Sequence, residues 1–236
     1  IGSGLVGSEM CIRDRSDWTA MVDALRHPTR DVTVALVGKY TQLHDAYISV
    51  VEALKHGGIA QRSTVSIRWI DSETVTEENV HEMLAGADGI LVPGGFGDRG
   101  IEGMISAIRY AREHQIPFLG LCLGMQLSIV EYARHVLGYA DAHSIELDPG
   151  TTHPIISLMP DQNGVEDIGG TLRLGSYPCV LQEGSRAWQL YGRDRIEERH
   201  RHRYEVNNDF RKALTDHGMV LSGLSPDGRI VEIIEL

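Results

Sequence analysis

The chain has 236 residues and a formal net charge of −11, which disfavours nucleic acid or an anionic membrane surface as its main partner. Its three cysteines are too few for a disulfide scaffold and fit the reducing cytoplasm, where we expect the protein to reside. The sequence shows no apolar run long enough to span a bilayer and no signal-peptide pattern, so its 42% hydrophobic residues are expected to form a globular core.

The first 30 residues differ in character from the rest of the chain. Residues 1–15 resemble the translation of a sequencing adapter, with an ordinary disordered tail as the alternative, so Cys11 is given no role. Residues 16–30 predict a short helix that ends before Pro28, because a residue that precedes proline avoids helical backbone. This stretch is linker-like, and one domain is expected over residues 31–236.

Strands and helices alternate in the next part of the chain. Residues 31–37 form a nearly continuous apolar run, as buried parallel strands do. Asp45 is expected to cap the following helix, which Gly57 and Gly58 end. Lys39 precedes this helix without the glycine spacing of a P-loop, so we expect a solvated loop residue rather than a phosphate ligand.

A third strand leads into a loop rich in glycine. After a second strand at 65–70, residues 88–92 predict the third strand, and the loop 93–100 follows it directly. Gly94 and Gly95 are either simple turn residues or the source of a backbone N–H that donates to a reacting oxyanion. Alternating strands and helices predict a parallel doubly wound sheet, with its chemistry at the carboxyl ends of the strands.

The next strand meets a Gly-x-Cys-x-Gly motif. Residues 116–120 predict the strand, and a helical pattern follows at once. Strand, sharp turn and helix are the geometry of a nucleophile elbow, in which side chains at Gly120 and Gly124 would crowd the turn. The helix N-terminus is expected to favour the thiolate form of Cys122, and the N–H of Leu123 would be the second oxyanion donor. The alternative is that Cys122 is a small buried hydrophobe.

The pattern changes in the last third of the chain. Beyond Gly138, short strand-like segments predict a largely antiparallel extension of the same domain, and residues 161–164 predict a turn or mobile loop. The run 199–205 alternates arginine and histidine, so an edge strand would place the two types on opposite faces. No metal site is expected there, because His200 and His202 lack a cysteine or carboxylate at ligand spacing. The fold class is therefore α/β: a mostly parallel doubly wound sheet flanked by helices, with an antiparallel C-terminal extension.

Five motifs together indicate a family. They are Val37–Tyr40, Glu52–Gly58, Pro93–Gly97, Gly120–Gln126 and Arg199–Asn208. On these motifs the chain, from about residue 32 onwards, resembles the class I glutamine amidotransferase domain of the CTP synthases. The resemblance makes residues 16–30 similar to the end of the linker that precedes this domain.

The resemblance implies that the domain hydrolyses L-glutamine. Cys122 would attack the side-chain amide to give a thioester, and the N–H groups of Gly95 and Leu123 would hold the oxyanion. The family's glutamine-binding positions correspond to Gly95, Leu123, Gly124, Met125, Gln126, Glu146 and Arg203.

The same resemblance implies partners outside this chain. The freed ammonia would pass to the synthetase domain of the same enzyme, which uses ATP and Mg²⁺ to aminate UTP to CTP. No cofactor and no metal are implied for the amidotransferase domain itself. GTP is the implied effector, with Arg99 as a candidate contact, and a homo-oligomer is expected only for the full-length enzyme.

One departure from the family pattern concerns the general base. The family completes its catalytic triad with a His-x-Glu motif beyond the strand at 230–235, and none of the 236 residues forms that motif. We therefore expect a domain that is incomplete at its C-terminus and inactive as a glutaminase, in which an electrophilic glutamine analogue still labels Cys122 slowly. Two alternatives remain: an α/β-hydrolase with a cysteine nucleophile, and a non-catalytic module that binds glutamine or a partner.

Overall fold

A parallel four-stranded sheet forms the first half of the computed structural model, which describes residues 6–159 and 173–236. The strands lie in the order β2-β1-β3-β4, and every adjacent pair is parallel. The elements of this half are α1 (Val6–Arg26), β1 (Arg30–Gly38), α2 (Ile48–Ala60), β2 (Ser63–Asp71), α3 (Val80–Leu84), β3 (Gly89–Val92), α4 (Ile101–Glu113), β4 (Phe118–Gly120) and α5 (Leu123–His135). The predicted parallel α/β sheet is confirmed.

The second half consists mainly of strands. Its elements are β5 (His143–Ser144), β6 (Pro154–Ser157), β7 (Arg173–Leu181), α6 (Arg186–Tyr191), β8 (Arg195–His202), β9 (Glu205–Val206), α7 (Arg211–Asp216), β10 (Val220–Leu224) and β11 (Val231–Glu235). Four of the strands form an antiparallel sheet in the order β11-β10-β7-β8. Strands β5, β6 and β9 form a smaller mixed sheet, in which β5 and β6 are parallel and β6 and β9 are antiparallel. The antiparallel extension is thereby confirmed, whereas the predicted turn at 161–164 lies outside the described residues.

The parallel order places three loops at one edge of the sheet. Strand β1 ends at Gly38, β3 at Val92 and β4 at Gly120, and the carboxyl ends of parallel strands point the same way. The loops that follow these three strands therefore meet at that edge. The loop after β1 contains Lys39, the loop after β3 is the glycine-rich one, and the turn after β4 contains Cys122.

Helices α4 and α5 pack against each other and against the parallel sheet, and they share an ion pair. Glu131 on α5 is fully buried, and Arg112 on α4 donates to both of its carboxylate oxygens at 2.8 to 3.2 Å. His135 lies 3.2 Å from the same carboxylate, one turn along α5. Burial of a carboxylate is tolerated here because a cation and an imidazole face it.

Helix α2 differs from the sequence prediction at both ends. A short 3₁₀ turn at His44–Tyr47 precedes it, so Tyr47 rather than Asp45 is the N-cap residue, and the helix runs through Gly57 and Gly58 to Ala60. Gly58 therefore allows the helix to pack closely and does not end it. A Cβ on Gly58 would lie 2.7 Å from the carbonyl oxygen of Ser63, so the missing side chain lets the helix approach β2.

Helix α1 is longer than the segment that the sequence predicted. It begins at Val6 and ends at Arg26, two residues before Pro28, which confirms the predicted stop. Its described large apolar side chains are mostly exposed, with Trp18 at 63% and Leu25 at 58% of their full accessibility. The described part of the helix therefore contributes little to the core.

Candidate active site

Cys122 occupies the sharp turn between β4 and α5. It is the N-cap residue of α5, with φ 54° and ψ −104°, a backbone conformation that L-residues rarely adopt. A Cβ on Gly124 would lie 2.1 Å from the carbonyl oxygen of Val92, and one on Gly120 would lie 2.6 Å from the backbone of Gly124. The predicted elbow geometry and the need for both glycines are confirmed.

The thiol of Cys122 is accessible, but its pKa differs from the expectation. The side chain is exposed, which argues against the buried-hydrophobe alternative. The protein atoms around the sulfur withdraw enough water to raise its pKa, and the nearby carboxylates of Glu146 and Glu205 raise it further. A hydrogen bond from the N–H of Leu123 lowers the pKa without offsetting these effects. The expectation of a favoured thiolate is therefore wrong for this structure.

The glycine-rich loop lies against Cys122, as the sequence predicted. A Cβ on Gly94 would come within 3.4 Å of the Cβ and 4.0 Å of the Sγ of Cys122. A Cβ on Gly95 would lie 3.5 Å from the side chain of Leu123. The backbone of this loop thus borders the thiol on the side where a substrate carbonyl would lie, while the oxyanion role of Gly95 and Leu123 stays a prediction.

Lys39 is buried, which contradicts the prediction of a solvated loop residue. Only 4% of it is exposed, and its Nζ donates to the carbonyl oxygens of Phe96, at 3.1 Å, and of Gly97. Burial lowers the pKa of this amine, and the carboxylate of Asp98 opposes that change. The ammonium tethers the loop that carries Gly95 to the end of β1, because the free carbonyls of the loop need donors.

Arg99 completes this connection from the loop side. Its Nη2 donates to the carbonyl oxygen of Lys39 at 3.1 Å, and its Nη1 lies 2.8 Å from Glu73. The guanidinium also lies 5.9 Å from the ring centroid of Tyr40. The loop and the end of β1 are therefore held by bonds in both directions, and a GTP contact at Arg99 stays a prediction.

The predicted glutamine-binding residues lie around the same edge of the sheet. Glu146 is exposed, yet the protein around its carboxyl raises its pKa, while the charges of Lys39 and Arg203 lower it. The Nε of Arg203 is buried and forms no hydrogen bond within the described part of the chain. The Nε2 of Gln126, on the first turn of α5, donates to the carbonyl of Tyr204 at 3.0 Å and so joins the two halves.

Met125 and Gly124 have mainly structural contacts. Met125 is half-buried and packs against the main core, and Gly124 lies against the end of β3. Both belong to the first turn of α5, directly after Cys122. An acid, a guanidinium and a thiol thus surround one region, which matches the ammonium, carboxylate and amide of a free amino acid such as glutamine.

A buried polar cluster, which the sequence analysis missed, lies inside the antiparallel half. Arg173 donates to Glu232 at 2.8 Å and to Glu205 at 3.3 Å, and both carboxylates are almost fully buried. Burial raises the pKa of Glu205 to about 8, and burial also lowers the pKa of His202 to about 4. The Nε2 of His200 lies 3.5 Å from Glu232.

The cluster corrects the view that the two histidines lack a nearby carboxylate. Residues 195–202 alternate in exposure, so the arginines and histidines of β8 do face opposite sides. The carboxylate comes from Glu232 on β11, a strand 30 residues further along the chain. Sequence spacing cannot show this, because β8 and β11 are far apart in the chain and are opposite edge strands of one sheet.

No imidazole is among the groups that influence the Cys122 thiol in the part of the chain that the structure describes. His153, which follows Cys122 in the sequence, pairs instead with Asp141 at 2.5 Å and stacks on Tyr139. The described residues therefore hold the nucleophile and the loops around it. They do not bring a histidine to it as a general base.

Comparison with known proteins gives one family. Residues 42–236 match the model of the class I glutamine amidotransferases. The chain is 60% identical over 223 residues to CTP synthase from Geobacillus kaustophilus (strain HTA426), and 57% identical to CTP synthase from Bacillus subtilis (strain 168). Each alignment covers 94% of this chain and 42% of the relative, so the chain spans less than half the length of these relatives.

A solved structure has the same fold. The glutaminase domain of Trypanosoma brucei CTPS with bound acivicin superposes with a TM-score of 0.81 at 35% identity. The alignment covers 86% of this chain and 80% of that one. Among the described residues, no helix has both the length and the apolar character needed to cross a membrane.

Proposed function

Because this chain belongs to the class I glutamine amidotransferase family, we propose that it binds L-glutamine and releases the amide nitrogen as ammonia through a thioester on Cys122. The observation that carries the proposal is the elbow itself. An exposed cysteine with φ 54° lies between the N–H of Leu123 and the loop of Gly94 and Gly95. A side-chain amide placed there meets a nucleophile on one side and backbone donors on the other.

The proposed reaction has two steps. The sulfur of Cys122 attacks the amide carbon of glutamine, and the N–H groups of Gly95 and Leu123 donate to the oxyanion that forms. The C–N bond then breaks, the leaving nitrogen takes a proton and departs as ammonia, and a γ-glutamyl thioester remains. Water adds to the thioester carbon, the C–S bond breaks, and glutamate and the thiol are released.

The proton transfers in both steps need a base beside the sulfur. The resemblance assigns that role to the family's His-x-Glu motif, whose histidine would accept the thiol proton, pass it to the leaving nitrogen and later activate water. The raised pKa of Cys122 is consistent with a separate base that removes the proton of the thiol. A thiol that is mostly protonated at neutral pH requires a base to become a nucleophile.

The charges around the site suggest how the substrate is oriented. We assign the α-ammonium of glutamine to the carboxylate of Glu146 and its α-carboxylate to the guanidinium of Arg203. The charge of Glu146 influences the thiol of Cys122, and the charge of Arg203 influences Glu146. The buried Nε of Arg203 has no protein acceptor among the described residues, so a carboxylate would satisfy it. Gln126 and Met125 would border the side chain of the substrate.

We further propose that the chain is the amidotransferase part of a CTP synthase. The support is the match to CTP synthases over 94% of this chain. The ammonia would then pass to a synthetase domain that uses ATP and Mg²⁺ to aminate UTP in the cytoplasm, with GTP acting near Arg99. The amidotransferase chemistry itself needs no cofactor, because a thiol, backbone donors and a base supply every step.

The binding part of the proposal is tested by protection of the thiol. Iodoacetamide should alkylate Cys122, and L-glutamine should slow that reaction while D-glutamine does not. Peptide mass spectrometry follows the labelling, and the buried Cys179 serves as the internal control. Arg203→Gln should abolish the protection without changing the labelling rate in the absence of glutamine. Equal protection by both enantiomers would contradict the proposed site.

Turnover needs a separate test. Ammonia release is measured for the 236-residue chain and for the same chain extended by a His-x-Glu segment, each with its Cys122→Ala variant. We expect the extended chain to be faster by roughly 10⁴- to 10⁶-fold and to lose activity with Cys122→Ala. Protection by glutamine without turnover in either chain would favour the non-catalytic binding module. Ester hydrolysis without glutamine turnover would favour the α/β-hydrolase alternative.

A further inference from the structure

We propose that His200, His202 and Glu232 form a binding site for a divalent transition-metal ion, with Zn²⁺ as the best-suited ion. The three side chains lie inside the antiparallel half, between the edge strands β8 and β11. The site is independent of the proposed glutamine chemistry, because none of the three residues takes part in it.

The strand geometry brings the two histidines together. His200 and His202 are two residues apart on β8, so both side chains project from the same face. The third residue, Glu232, reaches the same face from β11. Two imidazoles and a carboxylate are ligand types that Zn²⁺ accepts, and a set of three protein ligands leaves a fourth position for water.

The distances fit a small coordination sphere. The Nε2 of His200 lies 3.5 Å from the Oε2 of Glu232, and its Nδ1 lies 2.8 Å from the Nε2 of His202. One ligand atom from each of the three residues can be chosen so that all lie within 4.8 Å of one another. Ligand atoms of tetrahedral zinc lie about 3.3 Å apart, given metal–nitrogen bonds of about 2.0–2.1 Å. Modest rotations of the rings therefore close the site.

Unsatisfied polar atoms point to a missing ligand. The Nε2 of His200 and the Nδ1 of His202 are both buried, and neither forms a hydrogen bond with a described residue. Buried nitrogens without partners are uncommon and cost stability. A metal ion bonded to an imidazole lone pair removes part of that cost. The Nδ1 of His202 also lies 3.5 Å from Glu205, an arrangement that orients metal-bound imidazoles in many proteins.

One carboxylate oxygen of the cluster faces the histidines. Glu205 and Glu232 are both nearly fully buried, and Arg173 is the cation that contacts them. Arg173 donates to the Oε1 of Glu232 at 2.8 Å and to the Oε2 at 3.3 Å, so the shorter bond leaves the Oε2, which faces His200, less engaged. The guanidinium holds the carboxylate in place, and the Oε2 of Glu232 stays available to an ion that the two imidazoles bind.

Co²⁺ tests the site because its visible absorption reports the ligands. We expect a single equivalent of Co²⁺ to bind the 236-residue chain, with the visible bands of a four-coordinate ion and without the near-ultraviolet band of cobalt–thiolate bonds. Zn²⁺ should displace it. A thiolate band would place the ion on a cysteine and overturn the proposal, as would the absence of saturable binding.

Variants then identify the ligands. His200→Ala, His202→Ala and Glu232→Gln should each weaken Co²⁺ binding at least about 10-fold, whereas His217→Ala, which removes an exposed histidine, should leave it unchanged. Zn²⁺ should raise the melting temperature of the parent chain and of His217→Ala, but not that of His200→Ala. Comparing each variant with and without Zn²⁺ separates a lost site from a variant that folds poorly. Equal loss of binding in His217→Ala would refute the assignment.

Discussion

Cys122 combines two features that oppose each other. The first turn of α5 directs backbone N–H groups at the sulfur, which favours the thiolate, and the N–H of Leu123 does lower the pKa. The surrounding protein and the carboxylates of Glu146 and Glu205 raise the pKa by more. The residue is thus positioned for attack but held as a thiol, so its activation depends on a proton acceptor.

The pH dependence of alkylation should report this balance. Because the thiolate is the reactive form, a raised pKa moves the labelling profile towards alkaline pH, and we expect its midpoint to lie above that of a cysteine in an unstructured peptide. Glu146→Gln removes a negative charge near the sulfur and should shift the midpoint to lower pH. The rate of iodoacetamide labelling between about pH 6 and pH 11, followed by mass spectrometry, gives both midpoints. A midpoint below about 7.5 would show that the helix N-terminus dominates.

The site was predictable where the motif is local in sequence. Gly120, Cys122 and Gly124 lie within five residues, so the turn that they form follows from their spacing. Lys39 was misjudged because its partners are the carbonyls of a loop more than 50 residues away, and a lysine after a strand is normally solvated. Glu205 escaped notice for a similar reason, since its partner Arg173 belongs to another strand.

At the scale of elements, glycines set how closely helices pack on strands. Gly124 lets α5 lie against β3, and Gly58 lets α2 lie against β2. The neighbouring Gly57 faces open space, because a Cβ added there would have no atom within 4 Å, and its backbone angles are ordinary. The two adjacent glycines therefore have different structural roles, whereas the sequence analysis expected them to end the helix together.

This difference is measurable by alanine substitution. Gly124→Ala forces a Cβ to within 2.1 Å of a backbone oxygen, so we expect it to lower the free energy of unfolding by about 1–3 kcal/mol or more. Gly57→Ala meets no obstruction in a helix and should raise it by about 0.5–1 kcal/mol. Urea denaturation followed by circular dichroism compares the two. A loss of stability in Gly57→Ala equal to that in Gly124→Ala would contradict the packing argument.

At the scale of the whole molecule, the described side chains of helix α1 (residues 15–26) have little contact with the rest. Its described side chains are mostly exposed, and its clearest tie is the surface ion pair of Asp23 with Arg62, at 2.6 Å. Exposed pairs of this kind contribute little to stability. We propose that residues 1–15 are foreign to the fold and that the domain folds without them.

Deletion of residues 1–15 tests this proposal. We expect the melting temperature to change by less than about 2 °C, because a segment foreign to the fold should add little to the free energy of unfolding. The measurement is calorimetry of the parent and shortened chains under identical conditions. A fall of several degrees would show that the segment is an integral part of the native structure.

The overall architecture followed from the sequence in one half more than in the other. Alternating apolar runs and helical patterns predicted the parallel sheet, because local periodicity specifies each element there. In the second half the partners of the strands are set by long-range packing, which periodicity does not encode. The contact of β8 with β11 is the clearest case, since no local pattern connects His200 with Glu232.

The backbone conformation of Cys122 has a consequence for how this protein can evolve. A non-glycine residue with φ 54° and ψ −104° carries strain of about 1–3 kcal/mol, which glycine at the same position would relieve. Selection for stability alone would therefore drift towards glycine at position 122. The nucleophile that we propose at Cys122 therefore lowers the stability of the fold, and Cys122→Gly would recover that stability.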